Sequence, residues 1–88
     1  MIEVTSDVTV RTVKAKVTGE DYVHRRGEQM RPMVIEAAFT GAGVSVRVAG
    51  VRMKRDGSPG RTPMAASWGE RDLDSAPQWV RDFVAAVS

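Results

Sequence analysis

The one histidine in this 88-residue chain, His24, stands in the run Val23-His24-Arg25-Arg26. A nucleophilic triad would need that imidazole as a general base held by a carboxylate. Two adjoining guanidinium groups oppose its protonation, and we read His24 as an exposed loop residue. The chain has no cysteine, which removes thiol catalysis, thiolate zinc sites and disulfides. A single histidine supplies no multi-histidine metal set either. The carboxylates give no better purchase. Glu20-Asp21 and the trio Glu70, Asp72 and Asp74 fall in turn-like segments. The trio precedes a helical pattern, where acids suit the positive end of the helix dipole. Glu36 lies between apolar neighbours and is placed to face solvent or pair with an arginine across a sheet. Gly41-Ala42-Gly43 lacks the following Lys-Ser/Thr and helix start of a phosphate loop. No catalytic residue, metal or cofactor is assigned, and an enzyme is not expected.

The cations remain. Residues 41–61 carry Arg47, Arg52, Lys54, Arg55 and Arg61 against the single acid Asp56, whereas residues 62–88 carry two cations against four acids. The net charge is only +2, so the distribution says more than the total. With Val44, Val46 and Val48 pointing inward, Arg47 points out. Past a break at Gly50, inward Val51 and Met53 put Arg52 and Lys54 outside. The same logic on an earlier strand exposes Arg11, Lys14 and Lys16. If those two strands are neighbours, Arg11, Lys14, Lys16, Arg47, Arg52 and Lys54 form one basic sheet face that can lie against phosphates. The low net charge and few aromatics for base stacking weigh against a dedicated nucleic-acid binder.

These side chains have to be positioned by a small set of elements. Val4 to Thr18 alternates apolar and polar residues, with Val8 and Val10 on one face and Val13, Ala15 and Val17 on one face. The slip between the two sets implies a bulge near Arg11-Thr12 or a change of buried face. Residues 19–32 have no period and read as a long, polar, mobile loop, with Tyr22-Val23 able to extend a strand briefly. Met33 to Thr40 is a strand with Met33, Ile35, Ala37 and Phe39 on one face. Thr40-Gly41-Ala42-Gly43 turns the chain. Val44 to Lys54 is a strand with a bulge or kink at Gly50, and Asp56-Gly57-Ser58-Pro59-Gly60 is a turn. Arg61 to Trp68 makes a fourth strand, confined to an edge by Pro63. The helix spans 76–87. Ser75 and Gln78 have capping-box spacing, Pro77 sits in the first turn, and Trp79, Val80, Phe83, Val84 and Val87 form an apolar stripe. The expected fold is a single α+β domain over 1–88: a curved antiparallel β-meander of three to four strands with one C-terminal helix packed on it.

That architecture leaves open edges and a sheet longer than one short helix can cover. Open edges recruit other chains, and a symmetric dimer would satisfy them. The favoured reading is therefore a small non-enzymatic binding module acting through protein–protein contacts, with a protein partner or a homodimer. Nucleic-acid binding through the basic face is the alternative, and no small-molecule substrate is expected. Met1-Ile2-Glu3-Val4 lacks the basic and apolar regions of a signal peptide. The longest apolar runs are too short to span a bilayer, and the expected location is the cytoplasm.

Two segments carry a resemblance. Residues 46–60, Val-Arg-Val-Ala-Gly-Val-Arg-Met-Lys-Arg-Asp-Gly-Ser-Pro-Gly, and residues 76–84, Ala-Pro-Gln-Trp-Val-Arg-Asp-Phe-Val, resemble small proteins of actinobacteria and their phages. These pair a β-meander ending in a Lys/Arg-Asp-Gly turn with a terminal Pro-x-Trp helix. The resemblance covers about half the chain and includes no catalytic motif. It implies a cytoplasmic accessory protein, phage-encoded in some cases, acting on a host or phage macromolecule. At the level of topology the chain is also similar to three-stranded DNA-binding domains with a packed helix, such as integrase arm-binding domains, whose motif residues are not present.

Overall fold

The structure, a computed structural model, describes residues 11–23 and 27–88. Val8, Val10 and His24, with the arginines that follow it, lie outside the described residues, as does the chain on the N-terminal side of the bulge expected near Arg11-Thr12. Among the described residues five strands and one α-helix are formed: β1 (Arg11–Lys16), β2 (Tyr22–Val23), β3 (Gln29–Thr40), β4 (Gly43–Met53), β5 (Pro59–Gly69) and α1 (Gln78–Val87). A 3-10 turn, Glu70–Ser75, joins β5 to the helix. The strands form one open antiparallel sheet in the order β1-β3-β4-β5. This is the α+β meander with a C-terminal helix that the sequence pattern predicts, and β5, with Pro63 in it, is an edge strand.

β2 pairs with the start of β3, on the same side as β1. The two are pieces of one interrupted strand, with Gly19 (φ 78°) in the excursion between them. The predicted loop over 19–32 is corrected here. Tyr22 and Val23 pair with Met30 and Gln29, and β3 begins at Gln29, ahead of the expected Met33. Met30 is fully buried. One apolar side chain among polar neighbours gave no period, yet its burial and the ladder on both sides hold the segment in the sheet.

Val13 and Ala15 from β1, Ile35, Ala37 and Phe39 from β3, Val44, Val46 and Val48 from β4, and Ala66 and Trp68 from β5 face one side. The helix lies there. Val80 and Val84 are buried against the sheet, flanked by Trp79, Phe83 and Val87, as the stripe predicts. Each buried valine contributes on the order of 1.5–3 kcal/mol. That packing is what sustains a helix of under three turns, which would be marginal alone in water. The capping box does not form. Ser75 Oγ instead donates to the Asp72 carbonyl within the 3-10 turn, and Pro77 occupies the N-cap without a side-chain hydrogen bond. The 3-10 turn claims Ser75 first, so the helix starts two residues later than the sequence pattern suggests.

The sheet bends sharply. The β3–β4 register shifts between Pro32 and Val34, opposite Gly50 and Ala49. The extra residue is Met33, on β3, and this corrects its expected place on the Ile35 face: Met33 is 52% exposed. Gly50 permits the bend because a Cβ there would lie 1.9 Å from the Arg31 carbonyl oxygen. Tyr22 sits six β4 positions from Trp68 by register, about 20 Å along a flat sheet. Their ring centroids are nevertheless 5.3 Å apart, edge to face. The sheet therefore curls over its own core.

Candidate functional surfaces

Register decides where the six candidate cations go. β3 separates β1 from β4, so the two basic strands are not neighbours. Lys14 is opposite Glu36, which is opposite Arg47, which is opposite Ser67. This row crosses the outer side of the sheet, away from the helix. Lys16 lies on the same side, opposite Val34 and in the row of Ala49 and Ala65. Of the six, Lys14, Lys16 and Arg47 share that face. Glu36 stands between two of them, with Lys14 Nζ 3.5 Å from its Oε2. This is the cross-sheet pairing expected of a mid-strand carboxylate, though with a lysine partner.

Arg11 belongs to the other side, in register with Phe39. Its guanidinium lies 5.3 Å from the Phe39 ring centroid, and its Nη2 donates to the Val87 carbonyl at the end of α1. A cation there completes a helix C-terminus and favours the negative end of its dipole. The slip between Val10 and Val13 hid this: Arg11 shares parity with Val13, and Lys14 does not.

Arg52 also departs from the expected face. β4 carries no inserted residue before it, so Arg52 pairs opposite Met30 on the helix side, and Val51 falls on the outer side. Apolar Val51 and Met53 suggested inward positions, but the extra residue lies across the ladder on β3. Arg52 Nη2 is 3.1 Å from Glu28 Oε1. Lys54 lies just past the ladder, its backbone N–H donating to the Ser58 carbonyl in the β4–β5 turn. The single basic face is thus divided between the two sides of the sheet.

A different cluster emerges at the β4–β5 hairpin. Arg52, Lys54, Arg55 and Arg61 line an open groove of about 370 Å³ with Gly60 and Thr62. The β4–β5 register is irregular there: one residue separates Val51 from Met53 on β4, while three separate their partners on β5. Asp56 shapes the turn. Its Oδ1 accepts from the Ser58 N–H at 2.9 Å and from Ser58 Oγ at 2.6 Å. These bonds hold its carboxyl below the ordinary value. Gly57 takes φ 86°, which only glycine adopts cheaply. Among the described residues the ion pairs are Lys14–Glu36 and Arg52–Glu28, which leaves Lys54, Arg55 and Arg61 without a carboxylate partner. Arg55 and Arg61 were visible as part of the charge run over 41–61, but reasoning from strand faces passed over them.

A second surface is the outer half-face beside the β5 edge. Ser45 and Gly69, Ala49 and Ala65, and Val51 and Pro63 pair across β4 and β5 on that side. Apart from Arg47, exposed in the row between the first two pairs, the side chains here are small, and Met33 and Val34 add exposed apolar area at the bend. No group of three His, Asp or Glu side chains converges among the described residues, and no helix among them is long and apolar enough to cross a membrane. Compared with protein-family models, with curated proteins and with solved structures, the chain matches none.

Proposed function

We propose that this chain is a non-enzymatic binding module that works through protein contacts, taking an extended strand of another chain, in the first instance a second copy, on the free edge of β5. The observation that carries this reading is the contrast between the two halves of that edge. Pro59, Arg61 and Pro63 guard the first half in the way natural sheets discourage pairing. Met64-Ala65-Ala66-Ser67-Trp68-Gly69 has neither proline nor charge, and β5 is paired on one side only among the described residues. An unguarded run of this kind is a template for strand addition, in which main-chain hydrogen bonds supply affinity. Two copies pairing antiparallel about a two-fold axis would meet without charge repulsion and extend the sheet across both.

Pro63 fixes the polarity of the edge. A proline within an edge strand faces its ring nitrogen away from the ladder. The register is regular from Pro63 to Gly69, so the Ala65 and Ser67 N–H groups point outward as well. Ala65→Pro removes an outward donor and leaves the β4 ladder intact. Sedimentation velocity over a wide protein concentration range should show a reversible dimer for the native sequence and a folded monomer for Ala65→Pro. Ser67→Lys, which places a charge on the same edge, should act in the same direction. A native protein that stays monomeric at the highest concentration, or a dimer untouched by both substitutions, rejects this edge.

A further inference from the structure

We infer that the β4–β5 hairpin is a binding site for the phosphate backbone of double-stranded nucleic acid. The inference is independent of the β5-edge reading. Arg52, Lys54, Arg55 and Arg61 line one groove, and the hairpin's own acid, Asp56, is engaged by Ser58. The other charged groups near the turn are accounted for. Glu28 pairs with Arg52 from one side. Glu20 and Asp21 border an adjoining groove with Arg31, Gly57 and Met53, the last of which also lines the cationic groove. No acid lines the cationic groove itself.

Charge also separates along β5. The cations sit at its Pro59 end, and Glu70, Asp72 and Asp74 follow its Gly69 end in the 3-10 turn. Eleven residues of strand separate these ends, at most about 35 Å when fully extended, against a Debye length of about 8 Å at physiological salt. A polyanion thus attracts the hairpin while the acidic end stays outside the attraction. The molecule is oriented tip first, and a flat approach of the sheet is disfavoured.

Duplex is the better match because residues 51–63 contain no aromatic side chain. Single-strand binders stack bases on aromatic rings. An Arg-rich two-stranded ribbon without them makes phosphate contacts and fits a major groove about 12 Å wide. Gly60 lets β5 press close to the Arg52 carbonyl, since a Cβ there would lie 2.7 Å from that oxygen, and this keeps the ribbon narrow. Three or four phosphates neutralised should give a slope of log K against log salt of about −3 to −4. Little sequence preference is expected, because backbone contacts position a protein without reading bases.

The test is fluorescence anisotropy on a labelled 20-base-pair duplex of mixed sequence, titrated from 50 to 200 mM salt. The native chain should bind at 50 mM with that slope. Arg55→Ala/Arg61→Ala, which removes two exposed side chains with no role in the fold, should weaken binding at least tenfold and reduce the slope by about 2. Lys14→Ala/Arg47→Ala, on the outer face, should change it less than twofold. Circular dichroism confirms that each variant is folded. Absence of binding at 50 mM salt overturns the inference, as does a hairpin variant that binds like the native chain. Equal loss from the outer-face pair assigns binding to the other side of the sheet. Displacement of the duplex by polyglutamate at equal charge concentration overturns the nucleic-acid assignment.

Discussion

Replacing Gly50 by alanine tests the bend on which the curled sheet depends. The added Cβ would lie 1.9 Å from the Arg31 carbonyl oxygen and 2.8 Å from its carbon, where 3.4–4 Å is ordinary contact. Both neighbours are backbone, so no side chain can rotate away. The β3 and β4 backbones must part by about 1.5 Å at this row. Overpacking of this kind costs about 1–3 kcal/mol, and a broken ladder bond adds about 1 kcal/mol. The expected loss is therefore about 2–4 kcal/mol, a large share of the roughly 4–13 kcal/mol available to a domain of this length. Urea unfolding followed by tryptophan fluorescence gives the number. With a slope of about 1–1.5 kcal/mol/M, the midpoint should fall by about 1.5–4 M. The near-ultraviolet signal should weaken too, because the Tyr22–Trp68 contact exists only if the sheet curls. Gly57→Ala is the internal comparison. It meets no atom within 4 Å, and its φ is 86°, so its cost is conformational alone, about 1–2 kcal/mol. If Gly50→Ala costs no more than Gly57→Ala, the argument that a backbone collision fixes the bend is wrong.

Two further outcomes are expected. Arg11→Ala should destabilise the fold by about 1 kcal/mol through loss of the helix C-terminal contact and the Phe39 stacking, while leaving duplex affinity unchanged in the anisotropy assay. Asp56 has its pKa lowered in the folded chain, chiefly by the Ser58 hydroxyl and then by the Ser58 N–H. Its contribution is thus present above the unfolded-state pKa and is lost as pH falls through the lower folded value. Asp56→Asn should flatten the acid side of the stability profile, measured as urea midpoints below about pH 5.

How much was legible depended on whether the signal was local. Gly41-Ala42-Gly43 announced a hairpin, and Thr40 does pair with Gly43, whose φ of 125° is the one that calls for glycine. The Trp79 to Val87 stripe announced the helix, and Pro63 announced an edge. The site was harder to read because face assignment on a strand accumulates error past every irregularity. Val51 is apolar and was read as inward, but a bulge can be carried by either strand of a pair. Here Met33 carries it, and the count on β4 runs unbroken from Val44 to Arg52. One misplaced residue was enough to move Arg52 to the wrong side. The expected meander already put the Met33–Thr40 strand between the two basic strands, and the premise that those two are neighbours was at odds with it. The charge run over 41–61 needed no face assignment, and it marks the cluster at the hairpin.

The Arg11 bridge to Val87 joins residues 76 positions apart, and the core is completed only by Val80 and Val84. Every strand is synthesised before them. The β3–β4 hairpin, with its short connection, can close within microseconds. Until the helix arrives, the concave side bearing Ile35, Val46, Val48 and Trp68 has no cover. A chain cut back before Val80 would present that bare side together with an unguarded strand edge, the pair of features that most favours aggregation.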